Sequence, residues 1–249
     1  MGLSHRVLPG WLERNWLFRK LFLLRKLFLT RRRFSHHGQF AEDVCIARFF
    51  PKKMKGFFVD VGCFHPVKYS NTWVLYRRGW RGINVDADSI KVEGFQMLRP
   101  GDVNVASAVG PVRGEVEFYR SGFYSLTNTL DPTFAAEWGC EARSTVTCRT
   151  LTEIVDATRY RGRRIDLLSV DTEGHDLQVL QSLDFDRYRP ALIAVETHAR
   201  TLEELHATPL YAHVAALGYS LAGWAGLTLL WVDRARVPAE GPPELSAGA

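Results

Sequence analysis

Three short runs of apolar and β-branched residues punctuate the chain: GFFVDVG at 56–62, RGINVDAD at 81–88 and IDLLSVDTEGHD at 165–176. Each is too short for a helix of ordinary length and empties into carboxylates and glycine, the pattern of a buried parallel strand running into a loop. Around them the periodicity predicts a helix over 39–50 stopped by Pro51, then strands at 57–61, 81–85, 103–109, 165–170 and 191–196. Helices are expected between them at 69–78, 89–98, 150–160, 176–183 and 202–217. Ser89 is the expected N-cap of the 89–98 helix, and Gly79 and Gly218 stand where helices should close. Alternation at 114–146 reads as a hairpin and a cover segment, and 219–221 with 227–232 as a closing antiparallel pair. A β-α-β-α-β order with short links predicts an α/β, Rossmann-like fold whose mostly parallel sheet ends in that hairpin.

Two segments fall outside the succession. Trp11 to Arg33 is rich in Leu, Phe, Lys and Arg with no Gly or Pro, a helix by propensity. Leu17, Leu21, Leu24 and Phe28 share one stripe, which Phe18, Phe22 and Leu23 widen. Basic residues interrupt the apolar runs well before the ~20 residues that crossing a bilayer requires. The composition fits first an interfacial helix on an anionic membrane surface, next a helix docked on protein, and last an organelle-targeting peptide. Residues 239–249, rich in Pro, Gly, Ala and Glu, are expected to be a disordered tail. The chain thus divides into a basic amphipathic extension at 1–35, one domain at 36–238 and the tail.

Charge sharpens this division. The net charge is +5, yet residues 1–35 hold nine Lys or Arg against Glu13 alone, which leaves the remainder at −3. The basic character belongs to the extension, and the folded part carries no sign of nucleic-acid binding. With 249 residues, 46% of them hydrophobic, there is material for one sizeable core. Cys45, Cys63, Cys140 and Cys148 form no CxxC pair and no zinc spacing, as expected of free thiols in a reducing, cytoplasmic setting.

In an open parallel sheet, ligands bind beyond the carboxyl ends of the strands. That places Asp60, Gly62, Asp86, Asp88, Asp171 and Glu173 around one pocket. Gly62 lets the backbone approach a ligand closely. Cys63, Phe64, His65 and Pro66 follow it where a dinucleotide fingerprint wants further glycines, which disfavours NAD and favours an adenosyl ligand without phosphates. Asp86, at the end of the second strand, suits ribose hydroxyls. His65 and Pro66 are expected at the pocket mouth.

VDVGCF, SNT at 70–72, GWRGINVDAD, NVASAVG, DLLSVDTEGHDLQVLQSL and VETH together resemble the FkbM family of S-adenosylmethionine-dependent methyltransferases over about residues 39–232. The resemblance implies the class I methyltransferase fold and a hydroxyl acceptor on a sugar, glycolipid or related metabolite. Carried over by position, Asp60, Gly62, Asp86 and Ser107 would line the S-adenosylmethionine site, with Ser107 near the adenine. Asp171 and Glu173 would face the methyl group and the acceptor. Methyl transfer to oxygen needs in-line alignment and a proton acceptor, for which Glu173, then His198, then His175 are the candidates. Asp171, Glu196 and His198 could alternatively hold a divalent cation. A binding or scaffold protein that keeps the fold without turnover is the alternative function.

Overall fold

The computed structural model describes residues 9–28, 36–52 and 54–236, so the expected tail and the end of the basic extension lie outside it. The chain begins with α1 (Gly10–Arg14), α2 (Trp16–Phe28) and α3 (Glu42–Phe49). The first half of the sheet follows: β1 (Phe57–Val61), α4 (Trp73–Arg77), β2 (Arg81–Asp86), α5 (Ser89–Leu98) and β3 (Val103–Ala106). A side sheet comes next, from β4 (Ala108–Val109), β5 (Gly114–Arg120), α6 (Pro132–Glu137) and β6 (Ala142–Arg149). After α7 (Leu151–Asp156) come β7 (Leu167–Val170), α8 (Asp176–Gln181), α9 (Phe185–Tyr188) and β8 (Leu192–Glu196). The last elements are α10 (Leu202–His206), α11 (Pro209–Ala216), β9 (Tyr219–Ala225) and β10 (Thr228–Asp233).

The main sheet has seven strands in the order β3-β2-β1-β7-β8-β10-β9. Its first five strands are parallel, and β10 and β9 close it antiparallel, as the alternation predicted. Side chains alternate across β1, so Phe57, Val59 and Val61 enter one core layer while Phe58 enters the other. Strand order reverses between β1 and β7, and a crevice opens at their carboxyl ends.

Several elements differ from expectation, each for a local reason. The strand expected at 103–109 breaks at Ser107: β3 pairs with β2, whereas β4 leaves to pair with β6. Asp88, in extended backbone, caps α5 by accepting from the Ile90 amide, so Ser89 is the first helical residue rather than the cap. The 202–217 helix divides because Thr208 and Pro209 start a new one, with Thr208 accepting from the Tyr211 amide.

The N-terminal helix also divides, at Asn15. It docks on the domain through the side opposite the expected stripe. Leu23 and Leu27 are buried against Ile90, Phe123 and Tyr124, and Phe22 meets Phe123 edge to face at 4.9 Å. Glu13 holds Arg120 in a bidentate pair at 2.9 and 3.1 Å, and Arg19 pairs with Glu93. Leu17, Leu21, Leu24 and Phe28, with Trp11 and Trp16, are left facing solvent. No helix among the described residues is long and apolar enough to cross a membrane.

Candidate active site

Gly62 is where the backbones of the two half-sheets meet. Its amide donates to Val85 O at 2.9 Å, and the Asp171 amide donates to Val61 O at 3.0 Å. Gly62 has φ +82, and a Cβ there would lie 1.7 Å from Asp171 O, so no other residue fits. Beyond it opens a crevice of about 560 Å³, counting its solvent-open part. Val85, Val109, Phe118 and Leu126 give it apolar walls, and Asp86 and Lys91 give it polar ones.

Asp86 is buried at the end of β2. Its Oδ1 accepts from the Asp88 amide at 2.7 Å and its Oδ2 faces Lys91 Nζ at 3.4 Å. Burial raises its pKa to about 6 against the pull of Lys91. Lys91 went unnoticed in the sequence. A lysine one residue after the first apolar position of α5 reads as solvated, yet it is buried among the carboxylates of Asp86, Asp88 and Glu173. Ser107 also lines the crevice, but its hydroxyl donates to Ala108 O and Thr147 O, at 2.8 and 3.0 Å, and its amide donates to Asp86 O at 3.0 Å, so its donors are already engaged.

Asp60 sits on the other side of Gly62, in an adjoining cleft that shares Gly62, Phe64 and Asp171 with the first. Burial raises its pKa, opposed by a 2.6 Å bond from Thr72 and by Arg99. Arg99 is fully buried and donates to Pro66 O, Ser70 Oγ and Thr72 Oγ1. The SNT run therefore serves to fold the loop after β1 around a buried guanidinium. His65 is buried and accepts the Val67 and Lys68 amides on Nδ1, and burial depresses its pKa to about 4.

The ends of β7 and β8 carry a cluster of acids. Asp171, on the crevice floor, is open through the mouth but ringed by protein; desolvation, then Asp176, raises its carboxyl above the usual range. Glu173 is raised by desolvation, then by Asp171, with Lys91 opposing. It has φ +55, unusual for a side-chain-bearing residue, and its carbonyl accepts from Thr129 Oγ1 at 2.7 Å. The cover segment thus pins the residue that faces the crevice. Glu196, at the end of β8, is buried and raised by desolvation and by Asp171, Glu173 and Asp176 together. A ligand atom of Glu173, one of Glu196 and one of His198 lie within 4.8 Å of one another. Glu173 thus takes the place expected for Asp171 in that trio. His175 goes elsewhere, into an apolar cleft with Val116, Tyr119, Leu130 and Cys148.

The donor set suits an adenosyl ligand. One buried carboxylate stands where ribose hydroxyls need an acceptor, apolar walls suit a purine, and acids at the far end favour a sulfonium charge. A crystal structure of a TehB-like SAM-dependent methyltransferase from Corynebacterium glutamicum is similar at 12% identity, with TM-score 0.42, covering 88% of this chain and 100% of that one. No curated protein matches the sequence. The methyltransferase FkbM domain matches residues 60–221, more than half of the chain, from Asp60 through all the strand exits of the parallel sheet. The chain belongs to the FkbM family of S-adenosylmethionine-dependent methyltransferases.

Proposed function

We propose that this methyltransferase acts on a hydroxyl of a sugar, glycolipid or related metabolite presented at the cytoplasmic face of a membrane. The observation that carries the reading is the meeting of Glu173, Glu196 and His198 at the open edge of the crevice. S-adenosylmethionine, when bound, supplies an electrophilic methyl group. Asp86 would accept its ribose hydroxyls, Gly62 would admit it close to the backbone, and Asp60 would hold the loop between them in shape. Ser107 would lie near the adenine, and Asp171 would face the sulfonium end.

The chain's own residues then have to align the acceptor, keep water out and remove a proton. Glu173 is the assigned base. Its raised pKa brings it nearer to the proton it must accept than an ordinary carboxylate, and its fixed backbone aims it. His198, half exposed beside Glu173 and Glu196, is the second candidate. His175 is third, since it lines a different cleft.

The outward face of α2 supports the membrane location: Leu17, Leu21, Leu24 and Phe28 are exposed with Arg14 and Arg25 beside them, matching an anionic lipid surface. The inward face docks on the domain, so a membrane-bound helix would carry the active site with it. The test is transfer of labelled methyl from S-adenosylmethionine to a panel of sugars, and of glycolipids in anionic vesicles, by the full chain. Label in an ether product, abolished by Glu173→Gln, is expected. Label in amine or carboxyl acceptors alone would overturn the reading.

A further inference from the structure

We propose that Glu173, Glu196 and His198 form a site for a divalent cation, Mg2+ or Mn2+, whose remaining positions take water or the acceptor's oxygens. Three donors from the ends of two adjacent strands lie within 4.8 Å of one another. An octahedral Mg2+ with bonds of about 2.1 Å holds neighbouring ligand atoms about 3 Å apart and opposite ones about 4 Å apart. The 3.7 Å between Glu196 Oε2 and His198 Nε2 falls within that range, and His198, with 48% of its side chain exposed, has room to turn inward.

The independent sign is Glu196. Its side chain is only 9% exposed and shares a hydrogen bond with the Asp171 carboxyl, while its Oε2 has no hydrogen-bond partner. That atom points at His198 Nε2, 3.7 Å away. A buried carboxylate oxygen with no donor is unfavourable, and a cation between it and the imidazole answers the need. The surroundings agree in sign. Asp171 and Asp176 add to the negative field. Lys91 lies against Asp86 and offsets only part of the Glu173 charge. Two carboxylates and one imidazole suit Mg2+ or Mn2+ better than softer ions.

The role of such a site rests on the proposed hydroxyl acceptor, whereas the site itself rests on geometry alone. Glu173 would hold the cation through one carboxylate oxygen and keep the other for the acceptor's proton. An acceptor hydroxyl bound to the cation would become more acidic, which eases transfer of its proton to Glu173 and leaves its oxygen as the nucleophile.

The experiment is titration of the full-length, chelator-treated protein with Mn2+ alone, followed by electron paramagnetic resonance. S-adenosylhomocysteine is titrated in parallel by calorimetry. Wild type should bind one Mn2+ in the micromolar range, displaced by millimolar Mg2+. Glu196→Gln, which is isosteric, and His198→Ala, at an exposed position, should each weaken binding at least tenfold. Folded wild type that binds no Mn2+ below millimolar concentrations, or binding unchanged in both variants, overturns the site. Mn2+ bound normally by protein that ignores S-adenosylhomocysteine would leave the site standing and refute the cofactor roles proposed above.

Discussion

Replacing Asp86 by Asn removes one charge and almost no volume. In wild type the carboxylate is buried, with one oxygen on the Asp88 amide and the other facing Lys91. The Asn carbonyl can keep the Asp88 bond, so what disappears is the charge offered to the ribose and to Lys91. A hydrogen bond to a charged group contributes ~1.5–3 kcal/mol, and ~1.4 kcal/mol is tenfold in affinity, so the Kd for S-adenosylhomocysteine should rise ~10- to 150-fold at pH 8. The pH dependence is a second, independent mark. Burial raises the Asp86 pKa to about 6, so below that value the wild-type carboxyl is protonated and loses its acceptor charge. Wild-type Kd should climb up to tenfold per unit as pH falls below about 6, while Asp86→Asn should stay flat there. Calorimetry at pH 8, 6 and 5 on both proteins gives both readouts. Binding by the variant within threefold of wild type, or parallel pH curves, would refute the assignment of Asp86 to the ribose.

Glu173→Gln should lower methyl transfer by ~10²- to 10⁴-fold with S-adenosylhomocysteine affinity within threefold, since a general base acts on the acceptor and not on cofactor binding. Thermal melts should show stability falling as pH rises. Asp171, Glu173 and Glu196 all have folded pKa values above their unfolded ones, so from the ordinary carboxylate range near ~4 through neutrality the folded state holds more protons than the unfolded. A drop in Tm on the order of 5 °C between pH 5.5 and 8.5 is expected, smaller in Glu196→Gln; a Tm that rises over that interval would contradict it. The two faces of α2 should separate in mutagenesis. Leu17→Ser with Leu21→Ser should abolish cosedimentation with anionic vesicles at unchanged Tm, and Leu23→Ala should destabilise by ~2–3 kcal/mol in urea melts. Loss of stability in the first variant and none in the second would reverse the faces.

The parallel sheet was legible because β1, β2, β7 and β8 are buried on both sides, which forces continuous apolar runs that end abruptly where the site begins. The choice of face on α2 was not. Apolar residues go nearly all the way round it, so periodicity offers two stripes, and only Ile90, Phe123 and Tyr124 decide between them. Lys91 and Arg99 were missed because the burial of a cation depends on partners that are remote in sequence, Glu173 for one, Ser70 and Thr72 for the other. His175 shares its sequence neighbourhood with Glu173. It is sent elsewhere because Glu173 and Gly174 both adopt positive φ and turn the chain before α8. The nearness of Glu173 to Glu196 follows from the pairing of β7 with β8, which local pattern does not encode.

In the proposed complex the crevice beyond Gly62 holds S-adenosylmethionine with its reactive end toward Glu173. A crystal structure of the full chain with S-adenosylhomocysteine tests it most directly. The ribose hydroxyls are expected on Asp86, the adenine between Val85 and Phe118 near Ser107, and the sulfur directed to the edge where Glu173, Glu196 and His198 meet. A ligand bound away from Asp86, or with its sulfur directed away from that edge, would contradict it.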